Sequence, residues 1–357
     1  MTVKHDRTGA PPLRMIAWEV TRNCNLNCVH CRASAELGPY PEELTRDECF
    51  RLIDDIASFS KPVVILTGGE PLLRGDIFDI AAYGHEAGLR MVMAVNGTLL
   101  TSAVVDRMKA VGIQRISVSI DGSTPELHDT FRQVKGAFAA AVQGVGLAKQ
   151  AGLEFQINTT ITKRNLTDLP SIYALAVAIG AVAHHIFVLV PTGRGKDLAR
   201  EERVMPEEYD RVLHWFCEQE KKASIQVKAT CAPQYYRIRR EVLTKEERQA
   251  TDHSSLASHT RGCLGGVSFC FISHQGMVAP CGYLELDCGN VRCQTLEEIW
   301  STSEIIQSLR QYNLYQGKCG VCEYVNICGG CRARAYYSSG NFLADDPNCT
   351  YQPQRMK

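Results

Sequence analysis

Residues 15–31 read MIAWEVTRNCNLNCVHC. The apolar run Met15–Val20 suits a buried strand, and it leads directly into Cys24, Cys28 and Cys31, spaced C-x3-C-x2-C. Similar apolar runs recur at 63–66, 91–95, 116–120, 155–161 and 185–190. Helix-length segments separate them at 46–59, 77–87, 103–111, 137–151 and 166–179. Gly88, Gly112, Gly152 and Gly180 stand where four of these helices should stop, as left-handed caps do. Strand and helix in alternation imply parallel strands joined by crossover helices, with helices covering the sheet. Six such units are too few for a full eightfold barrel. The expected fold is α/β, a partial (β/α)6 barrel of the TIM type, with a flat doubly wound sheet as the alternative. Either architecture collects its chemistry at the carboxyl ends of the strands, where the three cysteines lie.

Composition narrows the function. The chain has 357 residues, 39 basic and 39 acidic, for a formal net charge of +0. That balance gives no long-range attraction to nucleic acid or anionic lipid. No segment approaches the ~20 apolar residues of a membrane span. The first fourteen residues, MTVKHDRTGAPPLR, lack the apolar core of a secretory signal and read as a lead-in. A cytoplasmic protein is expected. Sixteen cysteines then point away from disulfides and toward metal or redox chemistry. None falls between Cys49 and Cys217, while eleven fall between Cys231 and Cys349. A disulfide framework has no reason to spare the middle. The singletons Cys49, Cys217 and Cys231 read as small core residues.

Three thiolates anchor three irons of a [4Fe–4S] cube and leave the fourth open. A structural zinc site closes with four ligands, so zinc is the weaker alternative, and inert thiols are the other. The next strand ends carry further polar groups. Gly68-Gly69-Glu70-Pro71 follows the second strand, Asn96-Gly97 the third, and Ser119-Ile120-Asp121-Gly122 the fourth, with Arg132 soon after. Glycines let a ligand approach the backbone, and Glu70 can accept from an ammonium group. Each feature alone reads more readily as a turn or cap. Their order along consecutive strand ends argues for one site.

This pattern resembles the radical S-adenosylmethionine (SAM) superfamily over residues 14–190. The resemblance implies that Cys24, Cys28 and Cys31 hold a [4Fe–4S] cluster. Gly68, Gly69 and Glu70 would take the methionine amino group of SAM. Asn96, Ser119 and Asp121 would contact its ribose or methionine, and Arg132 its carboxylate. His30 stands where the family usually has an aromatic residue. The cysteines after residue 260 resemble the auxiliary-cluster (SPASM) extension. That resemblance implies one four-ligand [4Fe–4S] site from Cys319, Cys322, Cys328 and Cys349. A second would use Cys263, Cys281 and Cys331, with Cys270 as fourth ligand and Cys288 or Cys293 as alternatives. Two zinc knuckles are the structural alternative. Gly282 stands where some peptide-modifying relatives place an acid. The implied organisation is a lead-in (1–14), a barrel (15–192), a helical bridge (193–260) and an auxiliary-cluster domain (261–357).

A closer resemblance runs to the enzymes of siroheme-derived haem and haem d1 synthesis, and among them to the haem synthases. RMIAWEVTRNCNLNCVHCRA, ILTGGEPLLRGDIF, AHHIFVLVPTGRGK, CFISHQGMVAPCGYLELDCGNVR and CGVCEYVNICGGCRARAY carry it. It implies an iron porphyrin substrate, Fe-coproporphyrin III, whose two propionates become vinyl groups. An electron donor of ferredoxin or flavodoxin type and an electron acceptor follow from that chemistry. Arg194, Lys196 and Arg237, with Arg239 and Arg240, are candidates for the substrate carboxylates. His184 and His185 are candidates to approach the iron. The sister deacetylase acting on didecarboxysiroheme is one alternative. A peptide-modifying radical enzyme is another, weakened by a lead-in too short for a leader-binding domain.

Overall fold

The computed structural model describes residues 11–222, 224–251 and 261–356. Six strands, β1 (Met15–Thr21), β2 (Val63–Gly68), β3 (Arg90–Val95), β4 (Arg115–Ser119), β5 (Glu154–Ile161) and β6 (Ala183–Val188), pair in parallel and in chain order. The crossovers are α1 (Arg46–Phe59), α2 (Ile77–Glu86), α3 (Ser102–Ala110), α4 (Pro125–Arg132) with α5 (Ala137–Gln150), and α6 (Leu169–Ile179). The four glycines expected as caps all take positive φ. Local chemistry explains these boundaries. Thr45 and Glu48 form a reciprocal capping box at the start of α1. Thr124 caps α4 and Pro125 occupies its first turn, two signals that place this helix between β4 and β5.

The strands are two-faced. Ile16, Trp18, Leu66, Met93, Val118 and Ile157 pack in one core with Leu52, Ile53, Ile80, Val105 and Val145 from the helices. Each fully buried aliphatic side chain contributes about 1.5–3 kcal/mol. The alternate positions Thr67, Ser117, Ser119, Gln156 and Asn158 are only partly buried and line the opposite, polar face. A one-residue slip in register would exchange the two faces, so the pattern fixes the pairing.

The sheet is larger than the six strands expected. The stretch read as a helical bridge does contain α7 (Gly195–Glu202), α8 (Pro206–Lys222), α9 (Gln234–Val242) and α10 (Lys245–Thr251). It also contains β7 (Gln226–Thr230), which extends the parallel sheet beyond β6. At the other side, β8 (Phe269–Ile272) pairs in parallel with β1, matching Met15 to Phe269 and Trp18 to Ile272. A short antiparallel β9 (Val278–Ala279) completes the order β7-β6-β5-β4-β3-β2-β1-β8-β9. Helices α11 (Leu296–Thr302), α12 (Glu304–Arg310), α13 (Gly317–Val321) and α14 (Arg332–Ser339) follow. The C-terminal region is thus stitched into the barrel sheet rather than hung from its end. Residues 1–10 of the lead-in and 252–260 of the bridge lie outside the described residues.

Candidate functional site

The loop leaving β1 brings Cys24, Cys28 and Cys31 into one small cluster with Leu26, Ala33, Ala35 and Ala137. Each sulfur accepts a hydrogen bond: Leu26 N–H donates to Cys24 Sγ at 3.4 Å, Ala35 N–H to Cys31 Sγ at 3.4 Å, and Arg132 Nη1 to Cys28 Sγ at 3.5 Å. Burial pushes the Cys24 thiol up to about 11, and the Cys28 thiol also rises. Buried thiols with donors and a guanidinium aimed at sulfur suit a cluster whose irons replace the protons.

The strand ends converge on this loop. Gly69 N–H donates to Thr21 O at 2.8 Å, and Glu70 N–H to Asn23 O at 2.7 Å. A Cβ on Gly68 would lie 2.1 Å from Thr21 O, and one on Gly69 2.3 Å from Asn23 O. Both glycines are therefore demanded by the approach of two strand ends, whatever ligand they also meet. Glu70 is fully buried, accepts from Asn96 N–H at 2.7 Å and Leu72 N–H at 3.2 Å, and is pushed up to about 7 by burial. Asn96 Nδ2 donates to Asn25 Oδ1 at 2.8 Å, tying β3 to the cysteine loop. Ser119 ends β4, partly buried.

Asp121 and Arg132 sit at the site as an ion pair. Asp121 is fully buried, its Oδ2 lies 2.5 Å from Arg132 Nη2, and its Oδ1 accepts from Thr160 N–H at 2.8 Å. Burial opposes ionisation of Asp121, yet the Arg132 guanidinium foremost, with the Thr160 N–H, holds its carboxyl below the usual range. His30 Nε2 lies 3.5 Å from Asp121 Oδ2, and its ring packs edge-on against Phe131. Burial first, then nearby arginines, holds the His30 imidazole down at about 4, so it is neutral.

The candidates for substrate carboxylates mostly have other duties. Arg194 Nε donates to Cys28 O at 2.9 Å and Nη2 to Ala35 O at 3.0 Å, clamping the cysteine loop. Gly193 lets the chain come this close, since a Cβ there would lie 2.4 Å from Cys31 O. Arg237 is buried in ion pairs with Asp210 at 3.0 Å and Glu241 at 2.5 Å. Arg239 pairs with Glu220 at 2.8 Å, and Arg240 is exposed. Lys196 Nζ lies 5.4 Å from the centre of the Tyr337 ring. His184 is buried on the helix side, against Phe216 and 2.9 Å from Thr159 Oγ1, while His185 lies 3.0 Å from Gln156 Nε2.

Sequence reading missed a buried triad beside the cysteine loop. Glu19 of β1 is fully buried, pairs with Arg32, and lies 2.8 Å from His274 Nδ1. Burial alone would raise its pKa, but Arg32, His274 and Arg22 hold the carboxyl down at about 2. Arg32 also donates to Gly282 O at 3.3 Å, joining the cysteine loop to the segment after β9. The signal was available: a carboxylate inside the apolar run MIAWEV. Tyr283 was missed too. Burial raises its phenol, and Cys231, Cys281 and Cys31 add to the effect.

The C-terminal cysteines form two groups. Cys319, Cys322, Cys328 and Cys349 line one cavity. Arg332 Nη2 donates to Cys319 Sγ and Tyr324 N–H to Cys322 Sγ, both at 3.4 Å, and this four-thiol set fits a cluster. Cys263, Cys281 and Cys331 form the other group: beyond burial, Cys263 and Cys331 raise the Cys281 thiol, and Cys263 raises that of Cys331. Cys270 does not join them. It is fully buried in β8 within the main core, where the neighbouring thiol is Cys288. Strand alternation points its side chain under the helices, which corrects its assignment as fourth ligand. Cys231, read as a core residue, lies instead beside Cys331, Cys281 and Cys263.

Residues 18–176 match the radical SAM superfamily, and residues 263–332 match an iron–sulfur cluster-binding domain, SPASM. An AdoMet-dependent heme synthase of Nitratidesulfovibrio vulgaris is 52% identical over 98% of this chain and 95% of its own. A second, from Methanosarcina barkeri, is 51% identical over 97% of this chain and 98% of its own. The Fe-coproporphyrin III synthase of Methanosarcina barkeri is 32% identical over 94% and 87%. Among solved structures, Streptococcus suis SuiB bound to its precursor peptide SuiA superposes with a TM-score of 0.74 at 14% identity, covering 96% of this chain and 76% of that one. That likeness bears out the fold, a partial barrel-like parallel sheet with a C-terminal SPASM domain. The chain belongs to the radical SAM superfamily, as an enzyme with SAM and [4Fe–4S] clusters for cofactors.

Proposed function

We propose that this chain is a haem synthase, which oxidatively decarboxylates two propionates of Fe-coproporphyrin III to vinyl groups and yields protohaem. One observation carries the reading: 52% identity to an AdoMet-dependent heme synthase against 32% to an Fe-coproporphyrin III synthase, over nearly the same span. The sister deacetylase reaction is the poorer fit for that reason. A PqqA peptide cyclase, at 28% identity, stands further off.

In this reading residues 15–192 generate the radical and 261–357 hold the auxiliary clusters, with 193–260 between them. Cys24, Cys28 and Cys31 would hold the SAM-binding cluster, which supplies a 5′-deoxyadenosyl radical when SAM is bound. Glu70, beside Cys24, with Gly68 and Gly69, would receive the methionine ammonium. Asn96 and Ser119 offer polar atoms at the neighbouring strand ends. Arg132, held by Asp121, puts positive charge at Cys28 and would be available to the SAM carboxylate. Arg194 holds the cysteine loop still through its two carbonyl bonds. Lys196 remains a candidate for a propionate.

Each propionate must lose one β-hydrogen atom, carbon dioxide and one electron. The Arg32–Gly282 hydrogen bond ties the cysteine loop to the chain next to Cys281, which suits a path for that electron through the C-terminal region toward an acceptor protein. A ferredoxin- or flavodoxin-like donor would supply the reducing electron.

The test is anaerobic incubation with SAM, a strong reductant and Fe-coproporphyrin III. Mass spectrometry should show two successive losses of carbon dioxide plus two hydrogens. No turnover of this substrate, with turnover of didecarboxysiroheme, would move the chain to the deacetylase.

A further inference from the structure

We infer that Cys231 is the fourth protein ligand of the cluster held by Cys263, Cys281 and Cys331, and that this cluster therefore has no iron open to substrate. The inference rests on the reading of those three cysteines as iron–sulfur ligands.

Cys231 is the first residue beyond β7, at the carboxyl end of a sheet strand and outside the segment that matches the SPASM domain. Its backbone turns in the left-handed region, at φ 56°, which directs the chain toward α9. Cys231 and Cys281 pack against one apolar cluster that includes Cys331, Leu284 and Leu309. A buried clamp fixes the backbones of two of the four residues together. Arg334 Nη1 donates to Cys231 O at 2.5 Å, Arg334 Nη2 pairs with Asp346 Oδ2 at 2.8 Å, and that same oxygen accepts from Cys331 N–H at 2.7 Å. Cys263 reaches the same place: a Cβ on Gly265, two residues further on, would lie 3.5 Å from Cys281 Cβ.

Four half-buried or buried thiols brought together would repel one another as anions and gain little as neutral acids. An iron–sulfur cube bound by all four resolves both problems. A fully ligated cube exchanges electrons through its sulfur shell and cannot take a propionate oxygen onto iron. The substrate's carboxylates must then be held by side chains alone.

The experiment uses the full chain with Cys24, Cys28 and Cys31 all changed to Ala, so that the radical-site signal is absent. C231A, C231S, C263A and C270A are added singly and reconstituted anaerobically with iron and sulfide. Iron and sulfide content, the EPR spectrum after reduction, and circular dichroism are read. C231A should alter the EPR signal that C263A also alters, and lose about one iron in four from that cluster after mild oxidation. C231S should keep the fold and shift the reduction potential of the same signal, which decides the matter if C231A does not fold. C270A should match the parent. Parent-like iron and EPR in both C231 variants would overturn the inference, as would a change in C270A alone. Parent-like behaviour of C263A would instead remove the underlying cluster reading, and the inference with it.

Discussion

Two regions of this molecule gather cysteines, and each leans on a fully buried Asp–Arg pair used in a different way. Cys24, Cys28 and Cys31 lie on one loop, and Arg132, held by Asp121, reaches the sulfur of Cys28. Cys231, Cys263, Cys281 and Cys331 come from four separate segments, and the pair Arg334–Asp346 grips the backbone of two of them, Cys231 and Cys331. The first arginine places charge at a sulfur and so would act on the electronic state of whatever that sulfur binds. The second fixes where ligands from distant segments stand. A local group needs tuning, whereas a dispersed group first needs assembling.

The sharpest division between the regions should come from ligand removal. C24A should abolish 5′-deoxyadenosine formation outright. C322A should spare SAM cleavage more than porphyrin product, measured by chromatography of both in one reaction. Equal losses of the two products in C322A would break the contrast. The Asp–Arg pairs should give the next largest effect. D121N and D346N each leave a buried guanidinium without its carboxylate, a loss of about 3–5 kcal/mol in urea unfolding. D346N should also lower auxiliary iron, while D121N should change the EPR signal of the radical site.

Acid should act on both regions. The folded-state pKa values of Glu19 and Asp346 are both depressed to about 2. Their stabilisation is therefore present above the unfolded carboxylate range, near pH 4, and is lost as pH falls toward 2. Each carboxylate accounts for roughly 2–3 kcal/mol of that fall. E19Q and D346N should each flatten the acid limb of a stability-against-pH curve. The smallest effect belongs to R194A, which loosens the cysteine loop without touching sulfur. SAM cleavage should drop about tenfold with auxiliary iron unchanged.

The same contrast explains what could be read from the sequence. The first six strands and their long crossover helices were visible because their periodicity is strong. β7 was not: QVKAT is polar, lies beyond β6 and buries only Ala229. β8 is four residues, FCFI, inside a cysteine-rich stretch that gives no strand–helix rhythm. The loop cysteines were visible because their partners are neighbours in the chain. Cys231 was not, because its three partners come from beyond residue 260 and meet it only in three dimensions. The partners of Arg194 and Arg237 were hidden for a related reason. A cation's partner is invisible in sequence when it is the carbonyl of Cys28 or the carboxylate of Asp210.

The parallel pairing of β8 with β1 bears on how the chain is made. The two strands stand about 250 residues apart in sequence, so β1 emerges from the ribosome long before its neighbour exists. Until then one side of β1 is a bare row of N–H and C=O groups, with the ends of the cysteine loop close by. A nascent barrel in that condition invites pairing with another chain. Its final closure depends on residues 269–272, so a polypeptide cut short before them should aggregate rather than persist as a smaller enzyme.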